Sequence, residues 1–439
     1  MTEPWFDELA EFLRIPSISA DPLHASDVLK AGRWVCARVE EAGGACEIVD
    51  WNGQPLAIGE IAASTGADAP TVLCYGHFDV QPPDPLELWE SPPFEPEIRG
   101  EYLYGRGVVD DKGQLYCLLA AARELALAGE LPVNVRFCCD GEEESGGHSI
   151  VEFLEADARG ADAAVIFDSG MIRRDVPAFN IATRGIAYFH VVVRTGEHDL
   201  HSGMFGGAAL NAAHALMQAL GGLISPDGTL ADSLRRDTAA PTAEELASWA
   251  ELPKGSDELR EAGARPKDTG AERDFYLRTF AEPSVDVNGI VSGSPHLQKT
   301  VLPVEATANV SIRLAPGQRS EVIAAEVERI LRASAPDGAD VEVEYLSAAE
   351  PGLVAPGSRA IQLGLDAFER ALGRRPALIR TGGTLPIVPA LVDKAVPVVI
   401  TGFGLPDSQI HSPNERLLAE YVPRGIAAAR ELFLAFASL

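Results

Sequence analysis

At 439 residues the chain is longer than one hydrophobic core usually covers, so two domains are expected, and 46% hydrophobic with 23% charged residues marks it as globular and not disordered. The formal net charge of −29 argues against nucleic acid and anionic membrane surfaces as partners, because binding phosphate requires a basic face. No apolar run approaches the roughly 20 residues of a membrane span, and the opening MTEPWFDELAEFL carries neither a basic nor an apolar leader, so a cytoplasmic protein is expected. Six cysteines without C-x-x-C spacing, mostly inside apolar stretches, are expected as buried free thiols in a reducing compartment.

In chain order, apolar runs rich in β-branched residues at 71–74, 133–138 and 163–167 read as buried strands, with a helical pattern at 113–128. After Arg184-Gly185 the rhythm changes to a strand at 186–193, a helix at 208–220, strands at 287–292 and 304–314, a helix at 320–333 and a strand at 341–345. In 304–314, Val304, Ala306, Ala308, Val310, Ile312 and Leu314 alternate with period two. Residues 223–286, rich in Pro, Glu, Asp and Gly, read as a partly helical surface excursion. The order β-α-β-β-α-β predicts a ferredoxin-like α+β domain. The first pattern resumes near Pro351, with an amphipathic helix at 360–372 and a last strand at 396–401.

The expected fold is therefore α/β: a catalytic domain over 1–184 and 350–439, with a largely parallel central sheet flanked by helices, and an inserted ferredoxin-like lid over 185–349. Polar residues follow the predicted strands at once, namely His77, the 140–144 segment and Asp168, with His411 a little after the last. Ligands collect outside the carboxyl ends of strands in such sheets, so one site can draw on all four.

Each signal alone has a plain structural explanation. Gly76-His77-Phe78-Asp79-Val80 puts a potential metal ligand at a strand end, with Asp79 placed to hold its second ring nitrogen, yet a lone His-x-Asp is more often structural. Asp110-Asp111, at the end of Tyr104-Gly105-Arg106-Gly107-Val108-Val109, opens a helix, where capping and dipole complementarity usually account for an acid. The Asp140-Gly141-Glu142-Glu143-Glu144-Ser145-Gly146-Gly147 run is ordinarily a solvated loop, but a turn between glycines can present one carboxylate as a ligand and another as a base. Spacing does not choose among Glu142, Glu143 and Glu144. Together, two histidines and three carboxylates can fill two metal sites if one carboxylate bridges, which leaves another acid as base. Nitrogen and oxygen donors without thiolate suit Zn, Mn or Co in a catalytic site.

In family order the chain carries GHFDVQP, YGRGVVDDKG, DGEEESGG, IFDS, DLHSG, RTGGTLPIV and IHSPNER, and with these it resembles the M20 metallopeptidases, close to the cytosolic non-specific dipeptidase and carnosinase branch. The resemblance implies Asp110 as the bridging ligand, His77 and Asp168 completing one metal site, Glu144 and His411 the other, and Glu143 as general base acting on a metal-bridged water. It implies a cis Asp110-Asp111 peptide. It also assigns His201 to an oxyanion-stabilising role in the partner's site, and Arg313 with the Gly383-Thr384 turn to the substrate carboxylate; the branch commonly has serine where Thr384 stands. The implied protein is a homodimer, joined through the lid, that cleaves dipeptides or similar small amino-acid amides. N-acyl-amino-acid deacylation, or a catalytically silent small-molecule binding protein, are the other readings; the complete residue set argues against silence.

Overall fold

The computed structural model describes residues 4–66, 68–225, 228, 230–381, 385 and 387–439. By contact density the chain divides into two units: residues 1–181, 354–379 and 386–439, and residues 182–353 and 380–385.

In the first unit the strands run, from one edge, Ala45–Trp51, Gln54–Ile61, Asn134–Asp140, Thr71–His77, Ala163–Phe167, Val398–Thr401 and Ala178–Thr183. The central four are mutually parallel, with His77 opposite Asp140 and Thr401 opposite Phe167. Near-continuous burial along Thr71–His77, Asn134–Asp140 and Ala163–Phe167 explains why they read as apolar runs and not as alternating ones: both faces of a parallel sheet are covered. The helix Lys112–Ala128 is buried through most of its length because the sheet lies on one side and Tyr421–Phe436 on another. The helix Arg359–Leu372 instead buries one stripe, Ile361, Gly364, Leu365 and Phe368; Ser358 caps its start through Ile361 N, and left-handed Gly373 ends it. Phe167, Phe179 and Phe403 gather around Phe368 or one another at ring separations of 5.0–5.9 Å. Each such edge-on pair contributes about 0.5–1.5 kcal/mol beyond its buried area, and Phe403 thereby anchors the segment that leads toward His411.

The antiparallel hairpin Ala45–Trp51 and Gln54–Ile61 is not among the sequence expectations. Nor is a disulfide: Cys36, on the helix Ala25–Glu41, is joined to Cys46 with their Cα atoms 5.0 Å apart. The expectation of six free thiols is corrected to four, Cys74, Cys117, Cys138 and Cys139, all buried. The reversal from helix into the edge hairpin brings two cysteines ten residues apart face to face, which no short cysteine motif announces.

In the second unit, the sheet order is Ser284–Ser292, Glu305–Leu314, Gly185–Arg194, Asp340–Ala349, all antiparallel. The helices Ala212–Gly221 and Ser320–Ser334 pack on it, and Ala306, Ala308, Val310, Ile312 and Leu314 form part of the shared core, as the period-two pattern requires. The excursion contributes the helices Ala243–Ala250, opened by a Thr242/Glu245 capping box, and Gly255–Glu261. Arg380 and Glu245 form a fully buried ion pair at 2.6 Å, with Arg380 also donating to Ala239 O and Ala240 O. The edge strand Ser284–Ser292 leaves Val287, Ile290 and Val291 exposed.

Among the described residues no helix is long and apolar enough to cross a membrane.

Candidate metal centre

The parallel strands deliver their C-terminal residues to one edge of the first unit. Thr71–His77 ends in Gly76-His77, and a Cβ on Gly76 would stand 2.7 Å from Asp111 Oδ2 and 3.0 Å from Leu115 Cδ1, so a glycine is needed for the helix start to approach. Asp111 does not cap that helix with its side chain; its Oδ2 accepts from His77 N at 3.2 Å. The Asp110-Asp111 peptide is cis. Gly113 serves the same tight packing, since a Cβ there would lie 2.0 Å from Val108 O.

Asp110 presents one oxygen to each histidine: Oδ1 is 2.8 Å from His77 Nε2 and Oδ2 is 2.9 Å from His411 Nε2. Glu144 Oε2 is 3.1 Å from the same His411 nitrogen, and Asp168 Oδ1 is 3.9 Å from His77 Nε2. Donor atoms of His77, Asp110 and Glu144 all lie within 4.8 Å of one another. His77 Nδ1 faces Asp79 O at 3.2 Å and Asp79 Oδ1 at 3.3 Å. A carbonyl only accepts, so Nδ1 carries a proton and Nε2 is the nitrogen that could ligate a cation. Asp79 Oδ2 in turn accepts from Glu144 N at 3.1 Å, tying the support of the His77 ring to the Glu144 backbone.

The three adjacent glutamates separate by direction. Glu142 Oε1 accepts from Ser149 N at 2.6 Å, in the first turn of the helix His148–Ala156. Glu144 turns to His411. Glu143, in the short 3₁₀ turn Glu143–Ser145, lies in the field of His77, Asp168, Glu144 and Asp110.

The electrostatics are those of a crowded anionic site. Burial would lower His77, but the bonds to Asp110 and Asp79 hold it well above its ordinary value. His411, bonded to Asp110 and Glu144, is raised to about 10. Burial would raise Asp110, yet its bonds to His411 and His77 keep it well below the usual carboxylate range. Burial pushes Glu143 up to about 8 and Asp168 to about 7, each opposed by His77 and reinforced by neighbouring carboxylates. Imidazole and carboxylate donors without thiolate, gathered around Asp110, fit divalent cations.

His77, Asp79, Asp110, Glu143, Glu144, Asp168 and His411 all belong to the first unit. His201 and Arg313 belong to the second: His201 is exposed, ends the strand Leu200–His201 and accepts from Gly203 N through Nδ1, and Arg313 is partly exposed opposite Ser284 and Ile186. Gly383 and Thr384 lie outside the described residues. Sequence reasoning missed Gln81, whose Nε2 donates to Glu144 Oε2 at 2.9 Å and to Glu144 O at 3.2 Å. Its place four residues after His77 in GHFDVQP was the available signal.

A family model described as peptidase family M20/M25/M40 matches residues 73–435. The Cys-Gly metallodipeptidase DUG1 of Saccharomyces cerevisiae is 28% identical over 441 residues, covering 94% of this chain and 91% of the relative. The Beta-Ala-His dipeptidase of Homo sapiens is 29% identical over 459 residues, covering 98% and 90%. The crystal structure of human carnosine dipeptidase 1 matches with a TM-score of 0.75 at 27% identity, over 99% of this chain and 96% of that one. The M20 family metallo-carboxypeptidase Sso-CP2 from Sulfolobus solfataricus matches at 0.84 over 100% of both chains, at 23% identity, a likeness of fold alone.

Proposed function

The chain belongs to peptidase family M20/M25/M40, and on that premise we propose that it is a two-metal dipeptidase, cleaving dipeptides or similar small amino-acid amides that end in a free carboxylate. The observation that carries the reading is Asp110, which offers one oxygen toward His77 and the other toward His411 with Glu144 beside it. The two dipeptidases just compared, similar over nearly the whole chain, support the substrate class.

Asp110 would be shared between two ions, with His77 and Asp168 on one and Glu144 and His411 on the other. Zn, Mn or Co bound there would supply Lewis-acid polarisation of the scissile carbonyl and a water acidic enough to lose its proton near neutrality. Glu143 takes the proton of the attacking water and passes it to the leaving nitrogen, the role of a positioned acid–base group. Asp79 holds the ring of His77. His201 of a second subunit donates to the developing oxyanion, while Arg313, Gly383 and Thr384 hold the substrate's carboxylate. The exposed apolar residues Val287, Ile290 and Val291 on an open sheet edge, with Met204 and Phe205 just after His201, support a homodimer through this second unit.

Incubating the metal-loaded protein with dipeptides and with acetylated and succinylated amino acids, and identifying products by mass spectrometry, tests the reading. Cleavage of dipeptides in preference to the acylated compounds is expected. Preferred release of acetate or succinate would instead make the chain a deacylase.

A further inference from the structure

Glu415 is a fully buried carboxylate that touches neither histidine of the cluster, yet every bond it makes runs to a segment carrying a ligand. Its Oε2 accepts from Arg106 Nη1 at 2.8 Å and Gly107 N at 2.9 Å, and its Oε1 from Val109 N at 2.9 Å and Asp110 N at 3.2 Å. Its backbone O accepts from Gly105 N at 3.1 Å. Arg106, 1% exposed, completes the link by donating through Nη2 to Pro82 O at 3.3 Å, in the segment that follows His77. One buried ion pair therefore joins the three stretches that bear His77, Asp110 and His411.

The stretch just before Glu415 has unusual need of an anchor. Gln409, His411 and Asn414 are non-glycine residues in the left-handed region, at φ of 57°, 58° and 63°. Such conformations persist only where surrounding contacts over-determine them. Asn414 is held through its side chain by Glu90 N at 2.8 Å and Leu88 O at 2.9 Å, and Glu415 fixes the far end of the turn. His411 itself is half-exposed, so packing around its ring does little to hold it.

We infer that Glu415, paired with Arg106, is the positioning residue that sets Asp110 and the His411 turn in ligating register before any cation arrives. The inference rests on the two-metal reading above. Glutamine in place of Glu415 keeps the shape but turns an amide NH₂ toward backbone N–H groups, which breaks bonds to the Asp110 loop with little change in volume. Asp110 is shared by both ions and His411 serves one, so both ions should bind more weakly, the one on His411 the more.

The test titrates metal-free wild type, Glu415→Gln and Glu415→Asp with Zn²⁺ in competition with a chromophoric chelator, alongside circular dichroism and dipeptide kinetics. For Glu415→Gln both binding steps are expected to weaken, the more affected by about 10–100-fold, the scale for groups that orient ligands. A fall in kcat with KM nearly unchanged should accompany it, and Glu415→Asp should recover part of both losses. Should Glu415→Gln fail to fold, Glu415→Asp alone carries the comparison against wild type. Two ions bound by the variant at wild-type affinity overturn the inference while leaving the two-metal reading intact. A wild-type chain that takes up no second ion overturns that reading, and the inference with it.

Discussion

Replacing Glu143 by alanine is expected to lower kcat by roughly 10²–10⁴-fold, the usual contribution of a positioned acid–base group, while the protein still binds its metal. Glu144→Ala should do the reverse first, weakening metal uptake by about 10-fold or more because a donor facing His411 is gone. Glu142→Ala is the internal control. Its carboxylate holds Ser149 N at a helix start, so the variant should lose about 1 kcal/mol of stability with turnover close to wild type. Steady-state kinetics, metal content by mass spectrometry and thermal melts separate the three. If Glu142→Ala were the inactive, metal-replete variant, the assignment within Glu142-Glu143-Glu144 would be off by one.

The second large effect concerns the subunit partnership. His201 is exposed and sits just ahead of a short helical turn, Ser202–Phe205, whose Met204 is 75% exposed. An oxyanion donor is typically worth about 10²–10³ in rate, so His201→Ala homodimers should be nearly inactive, like those of Glu143→Ala. In a heterodimer of the two, one of the two sites combines an intact Glu143 with an intact His201 from the partner. Equimolar mixing makes about half the dimers heterodimers, each with half its sites restored, so about a quarter of wild-type turnover should return. Native mass spectrometry reports the exchange. Complete exchange with no recovered activity, or a stable monomer turning over at the wild-type rate, would falsify the shared site.

Much of the scaffold was legible because periodicity and burial act locally. The runs at 71–74 and 163–167 are apolar throughout because both sheet faces are covered, and the alternation within 304–314 follows from a sheet covered by helices on one face. His77 and Asp168 were legible as candidate site residues because they end or directly follow such strands. What was not legible depends on direction or on distant partners. Glu142, Glu143 and Glu144 differ only in where a 3₁₀ turn points them. Asp111 reads as a helix cap until the fold sets His77 N against its carboxylate. Cys36 and Cys46 meet only because a helix reverses into an edge hairpin. The left-handed backbone at His411 leaves no glycine as a mark, and Glu415, some 300 residues from Arg106, had nothing nearby to reveal its role.

The proposed role of Asp110, between His77 and His411, is to organise two catalytic cations. Its most direct test strips the purified protein with a chelator, measures bound metal and dipeptide turnover on the same sample, and repeats both after adding Zn²⁺, Mn²⁺ or Co²⁺. Turnover should vanish with the metal and return as up to two ions per chain are restored. Full turnover in demonstrably metal-free protein would contradict the account.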